Sequence, residues 1–267
     1  MENTRSSMRI AFTIILNGLR HLKHANYQHA MTTMFDHWVI VEGVSRPTGS
    51  TSWCKELSTD FHNNYLSNDG TTEFLDSIKS DKVTIVRCKD KPWNNKDDQV
   101  NAAIDHIKTI TNECMLWQVD IDEKWTARQL REAEETLKLN KGKTGCFLCN
   151  YYVGPKQIAT GQWGEGNYEP YRRLWDWKGE KFISHEPPKL DGKNGPGLLL
   201  PQKFNHFAYY YEEDVKFKEA YYQGYEGLLS RWKEVQNNKG TIHLSKLLGP
   251  NTWWSNTETY IKYVDAS

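Results

Sequence analysis

The stretch Cys114-Met115-Leu116-Trp117-Gln118-Val119-Asp120-Ile121-Asp122-Glu123 decides how this chain is read. An apolar run passes directly into two carboxylates spaced one residue apart. In a strand, residues i and i+2 share a face, so Asp120 and Asp122 are expected to project together. The carboxyl ends of buried strands are where α/β sheets bind ligands. Two carboxylates aimed at one point repel and resist desolvation unless a cation sits between them. A hard divalent metal carrying a ligand phosphate meets that need. The plainer reading is a solvated aspartate pair in a strand-to-helix loop, one of them capping the helix that follows.

Working outward, strand and helix signals alternate. Residues 10–16 read as a fully buried first strand, 22–35 as a helix and 37–41 as a second strand. Residues 45–70 are polar and rich in Gly, Ser and Asn, a long loop. A short helix around 75–78 and a third strand over 83–86 follow, then Val100, Ala103, Ile104 and Ile107 at helical spacing. Beyond the aspartates, a helix from Thr126 carries Leu130, Ala133 and Leu137 on one face. Residues 146–153 and 204–209 read as strands, separated by a Gly- and Pro-rich aromatic region, and helices over 214–222 and 227–235 finish the chain. The pattern predicts an α/β fold with a doubly wound, mostly parallel, Rossmann-like central sheet and a C-terminal helical extension. Residues 1–267 are read as a single domain.

The chain has 34 basic and 34 acidic residues, with no long run of one sign, which argues against bulk electrostatic binding of nucleic acid. Eleven Trp point to a surface for flat, hydroxylated ligands such as sugars, or simply to core filling. The five cysteines are odd in number and lack framework spacing, as expected of reduced thiols in a cytosol-like compartment. Cys146 and Cys149 have C-x-x-C spacing but lack a second pair and lie in an apolar run. No apolar run reaches membrane length, so the protein reads as cytoplasmic, without an integral membrane segment.

Other residues gain meaning beside the aspartates. Asn17 ends the first strand and Glu42 the second, where a base or ribose could be held. In Lys91-Pro92-Trp93-Asn94-Asn95-Lys96, Lys96 suits a phosphate, and Asn101 follows on the next helix. In His185-Glu186-Pro187-Pro188, Glu186 could deprotonate a hydroxyl, while His185 could bind phosphate or metal. His206 is a candidate third metal ligand, or an ordinary core histidine. Arg172 and Arg173 could clamp a diphosphate or pair at the surface. Trp163, Trp175 and Trp177 could floor a sugar or fill the core.

In this order the segments resemble the GT-A fold glycosyltransferases, close to family 2. Residues 10–16, Glu42, Asn95-Lys96 through Asn101 and the DXD-like Asp120-Ile121-Asp122 carry the resemblance. Tyr171-Arg172-Arg173-Leu174-Trp175 with Ser184-His185-Glu186, and Asn205-His206-Phe207-Ala208-Tyr209 with Phe217-Lys218, extend it over about residues 8–235. The resemblance implies manganese or magnesium at Asp120, Asp122 and His206. It implies a UDP-sugar donor, glucose or galactose, held by Asn17, Glu42, Lys96, Asn101, Asp120, Arg172, Arg173 and His185. A hydroxyl of a glycan or glycoconjugate would be the acceptor, with Glu186 as the base of an inverting transfer and Glu165 and Asp214 in reserve. The nucleotide-binding half would span about 8–125 and the acceptor-binding half about 126–267. Glu42 stands where many family 2 members have aspartates, and the acceptor-side Glu-Asp pair has one literal match, Glu213-Asp214.

Rival readings fit less well. A haloacid-dehalogenase phosphatase opens on its D-x-D and continues with Thr or Val, whereas here the pair is mid-chain and Lys124 follows. An EF-hand loop fails at its sixth and twelfth positions, Trp125 and Arg131. A nucleotidyltransferase forming nucleotide sugars would want a Gly-rich loop, and Asn17-Gly18-Leu19-Arg20 is a poor one. A non-catalytic carbohydrate-binding protein on the same scaffold is the non-enzyme alternative.

Overall fold

The computed structural model describes residues 7–161, 170–193, 195–249 and 258–264. Its centre is a parallel sheet of β1 (Arg9–Ile15), β2 (His37–Glu42), β3 (Val83–Arg87) and β4 (Cys114–Gln118), in the order β3-β2-β1-β4. The connections carry α1 (Leu19–Lys23), α2 (Tyr27–Met34), α3 (Thr71–Ser77) and α4 (Lys96–Ile107). Strand alternation sorts the core into two faces. Ile10, Phe12, Val39 and Val41 pack with Val100, Ala103, Ile104 and Ile107 of α4. Ala11, Ile15, Trp38 and Ile40 pack with Tyr27 and Met31 of α2 and with Leu130, Ala133 and Leu137 of α5 (Ala127–Leu139). Helices therefore cover both faces, as a doubly wound sheet requires.

Beyond β4 the sheet changes character. The short β5 (Glu123–Lys124) precedes α5, and β6 (Thr144–Gly154), β7 (Gln157–Thr160) and β8 (Tyr171–Trp177) follow it. β8 runs antiparallel between β4 and β6, and β7 is antiparallel to β6. A separate hairpin pairs β9 (Phe182–Ser184) with β10 (Lys189–Leu190). β11 (Leu198–His206) lies parallel to β6 and antiparallel to β5. Then come α6 (Glu212–Tyr221), α7 (Leu228–Gln236), β12 (Ile242–His243), α8 (Ser245–Leu248) and β13 (Tyr260–Tyr263).

The expected alternation is therefore present, within a mixed α/β architecture. The parallel strands form its centre, and the strands next to β4 on the far side are antiparallel. The Gly- and Pro-rich region contains β7 to β10, and the helices at the C-terminal end are followed by β12 and β13, which rejoin the sheet through β7. Short strands between turn residues leave too few alternating positions to be seen in sequence. Trp175 and Trp177 are wholly buried core residues rather than a sugar floor, and Trp163 lies outside the described residues. Among the described residues, no helix is long and apolar enough to cross a membrane.

Two buried polar clusters tie the core elements together. Thr13 donates to the Val119 carbonyl at 2.6 Å and accepts from the Trp38 indole at 2.9 Å, joining β1, β2 and the end of β4. Glu134 of α5 accepts from Arg9 Nη2 at 2.7 Å and from the Trp117 indole at 2.8 Å. Helix α5 starts on a capping box formed by Thr126 and Gln129. Leu130, fully buried on the inner face of α5, tests this packing. Leu130→Ala is expected to lower unfolding free energy in urea by about 3 kcal/mol with an unchanged m-value.

Candidate functional site

A cleft of about 400 Å³ opens at the carboxyl ends of the parallel strands. Asn17 and Gly18 reach it after β1, Gly43 to Ser45 after β2, and Asp120 to Asp122 after β4. Gly43 makes its turn at φ 132°, where an added Cβ would meet the Trp93 indole nitrogen and the Tyr65 carbonyl, both at 3.2 Å. The opposite wall is aromatic: Tyr151, Tyr171, Tyr209, Phe217, Tyr221, Tyr222 and Tyr225, with the exposed Trp53 ring tilted against Tyr222 at 5.0 Å between centroids.

The aspartates reach the cleft by a different route from the one strand alternation implies. β4 stops at Gln118, and the Glu123 amide donates to the Asp120 carbonyl at 2.9 Å, closing a turn. The i, i+2 rule therefore no longer applies, and each carboxylate has its own partner. Asp120 lies 2.9 Å from Arg173 Nη2 and accepts from Gln118 Nε2 at 3.2 Å. Asp122 lies 3.5 Å from His206 Nε2. Burial works against both charges of that second pair. The His206 charge nevertheless carries Asp122 below the usual carboxylate range, and the Asp122 charge carries His206 above the usual imidazole value.

Arg173 is shared with a carboxylate that sequence reasoning missed. Glu123 is fully buried, 2.8 Å from the guanidinium, and accepts from the Trp125 indole at 3.2 Å. One cation thus serves two carboxylates. Burial, the largest influence, raises the Glu123 pKa even though Arg173 opposes it. Glu123 follows directly on the quoted aspartates, but nothing local shows that β8 brings an arginine to it.

For a metal, Asp122 offers an oxygen donor at the cleft, and His206 would offer a nitrogen donor there once the ion displaced the proton that Asp122 stabilises. Among the described residues no group of three or more His, Cys, Asp or Glu is gathered to hold an ion. Such a donor pair fits an ion completed by ligand phosphates and water, as magnesium-type sites commonly are. Asp120, engaged by Arg173, fits a less direct role.

His185 and Glu186 are held from α4. Asp97 accepts from the His185 amide at 2.7 Å and the Ser50 amide at 2.9 Å, and Ser50 Oγ accepts from the Glu186 amide at 3.2 Å. Burial raises Asp97, but these donors bring it below its usual value. Burial and then the Lys96 charge lower His185 to about 4, so its imidazole is neutral at pH 7. Asp97 was not singled out from sequence; its position in the first turn of an Asn-capped helix was the available signal. A second cavity of about 420 Å³ lies beyond this loop and shares Asp120, Tyr171, Arg173, His185 and Glu186 with the cleft. Glu186 is exposed between the two.

Lys96 opens α4 with its ammonium 5.1 Å from the centre of the Tyr221 ring, and it has no carboxylate at ion-pair distance among the described residues. Despite burial, the surrounding tyrosines raise its pKa. Lys218 lies over Tyr209 and Tyr222 at 5.3 and 5.6 Å.

The remaining expected residues are engaged elsewhere. Glu42 is fully buried, 2.6 Å from Arg87, and does not line the cleft. Asn101 donates to the Phe182 carbonyl at 2.9 Å and accepts from its amide at 2.8 Å, fastening α4 to β9. Asn17 lines the cleft, with its side chain donating to the Phe61 carbonyl at 2.6 Å and accepting from the Asn68 amide at 2.8 Å. Asp214 also lines the cleft but is held by Arg20 and by His21 at 2.9 Å, a neutralised carboxylate unsuited to act as a base. Arg172 lines only the second cavity. Glu165 lies outside the described residues.

The sequence matches no family model, and no curated protein matches it. Among solved structures, similarity reaches the crystal structure of S. aureus TarS 1–349, at 12% identity and a TM-score of 0.37. The superposition covers 54% of this chain and 36% of that one.

The Asp122–His206 pair makes a signed prediction. His206, raised in the fold, contributes stability that is complete below its unfolded pKa of about 6.5 and is lost as pH rises through the folded value. Asp122, lowered in the fold, contributes above about pH 4 and loses that contribution as pH falls towards its folded value. NMR titration should find His206 protonated well above pH 6.5. In Asp122→Asn the largest raising influence is gone, and the same resonance should titrate at clearly lower pH than in the wild type. A wild-type value at or below 6.5 contradicts the pairing.

Proposed function

We propose that the protein is a metal-dependent glycosyltransferase of GT-A type, moving a hexose from a UDP-sugar, glucose or galactose, to a hydroxyl of a glycan or glycoconjugate. The observation that carries this reading is convergence. Asp122 and His206, Lys96 and the exposed Glu186 come from separate parts of the chain and meet at one cleft beside the parallel strand ends. An aromatic wall faces them, suited to a base and to the apolar faces of sugars.

In this reading Asp122 would hold a manganese or magnesium ion, joined by His206 in its deprotonated form and supported by Asp120. The ion, when bound, supplies positive charge to the leaving diphosphate. Lys96 adds a second positive charge, with no carboxylate at ion-pair distance among the described residues. Glu186 accepts the proton of the acceptor hydroxyl on a carboxylate oxygen as that hydroxyl oxygen bonds to the sugar C1. The bond from C1 to the diphosphate oxygen breaks, its electron pair leaves with UDP, and the anomeric configuration inverts. Neutral His185 positions the adjoining loop and can hydrogen-bond without adding charge.

We take residues 1–267 as one domain, with nucleotide-binding and acceptor-binding halves meeting near residue 125. A cytoplasmic setting suits five cysteines none of which forms a disulfide.

With manganese present, a panel of UDP-sugars should give one that is hydrolysed or transferred and that raises the melting temperature. Asp122→Asn is expected to lower kcat at least ~100-fold and weaken UDP binding about tenfold. Glu186→Gln should lower kcat by roughly 10² to 10³ while leaving UDP affinity within about a factor of two. If no nucleotide sugar shifts the melting temperature with metal present, the reading fails.

A further inference from the structure

The second cavity carries its own chemical signature. Arg172 and Lys189 line it, and neither has a carboxylate at ion-pair distance among the described residues. The other cation there, Arg173, is already shared between Asp120 and Glu123. Gln118, 2% exposed, also lines the cavity, and its Oε1 has no hydrogen-bond partner among the described residues. A buried carbonyl oxygen without a donor costs free energy until a ligand hydroxyl or amine satisfies it. His185 Nδ1 is likewise buried and without a partner. Pro187, Pro188 and Tyr171 add flat apolar surface.

We infer that this cavity is a binding site for an acidic sugar, meaning a hydroxylated ring that carries a carboxylate or phosphate group. Arg172 and Lys189 meet the oxyanion, and Gln118 Oε1 accepts from a ring hydroxyl. Glu186 stands at the wall common to both cavities, so a hydroxyl of the bound sugar can reach its carboxylate. Under the proposed function, on which this extension rests, the acidic sugar is the acceptor. An acceptor with a negative charge one ring away from the reacting hydroxyl is held apart from the anionic donor by separate cations, Lys96 for one and Arg172 with Lys189 for the other.

Isothermal titration calorimetry of the intact protein with glucuronate, glucose 6-phosphate and glucose tests the inference without any turnover. The acidic probes should bind about tenfold or more tighter than glucose, the scale of one or two charge-assisted hydrogen bonds. The preferred acid distinguishes a carboxylate from a phosphate ligand. Arg172→Ala and, independently, Lys189→Ala should each weaken the acidic probes at least about fivefold and leave glucose and UDP binding unchanged, with the melting transition reporting that each variant is folded. Gln118→Leu should weaken all three sugars alike. Equal binding of glucose and the acidic probes overturns the inference, as does loss of UDP binding in Arg172→Ala. If the acidic sugars bind as stated while no UDP-sugar does, the site stands and the transferase reading falls.

Discussion

Arg173 can be buried beside the end of β4 only because Asp120 and Glu123 are there to neutralise it. An uncompensated guanidinium at that depth would cost several kcal/mol. The pairing requires β8 to run next to β4, which is the point where the sheet turns from parallel to antiparallel. It also requires the chain to leave β4 in a turn rather than continue extended, so that both carboxylates face the same cation. Asp122, carried through that turn, faces the cleft and finds His206 at the end of β11, whose partner strand β5 begins at Glu123. One buried cation thus ties together the sheet junction, the turn and the position of the cleft carboxylate.

A second constraint works from the other side. Asp97 holds the loop bearing Ser50 and the loop bearing His185 through backbone amides, while Asn101, one turn along the same helix, is bonded twice to Phe182. Helix α4 therefore fixes the partition between the two cavities. The backbone amides of Ser50 and His185 are satisfied by a carboxylate there, and the exposed Glu186 stands at the shared wall. The chemistry proposed for Glu186 depends on its accessibility to both cavities, and α4 supplies that accessibility.

The parts of the fold legible in sequence are those encoded locally. Apolar runs gave β1 to β4, and the spacing of Leu130, Ala133 and Leu137 gave the inner face of α5. Asp120 and Asp122 were legible as cleft residues because strand ends are predictable, but their geometry was not, since a turn replaced the assumed extension. Glu42 and Asn101 show the converse limit. Polar residues at plausible positions proved to be a buried ion-pair member and a loop fastener, because Arg87 and the Phe182 backbone meet them only after folding. Glu123, Asp97 and the pairing of Asp214 with Arg20 and His21 were missed for the same reason: the partners lie 47 to 194 residues away in the chain.

Formal charge over the whole chain is zero, yet Lys96 and Lys218 face one cleft over aromatic rings. Arg20, Lys96, Arg173 and Lys218 balance Asp120, Asp122, Asp214 and Glu186 in number along the cleft. Lys96 and Lys218, however, have no carboxylate at ion-pair distance among the described residues, and low-dielectric walls focus the field of these two outward. Anionic ligands would be captured by steering as well as by contact, so their association rate would fall as ionic strength rises even where the bound-state lifetime does not change. The Debye length shrinks from about 30 Å at 0.01 M to about 8 Å at physiological salt, which confines that attraction to the last few ångströms of approach.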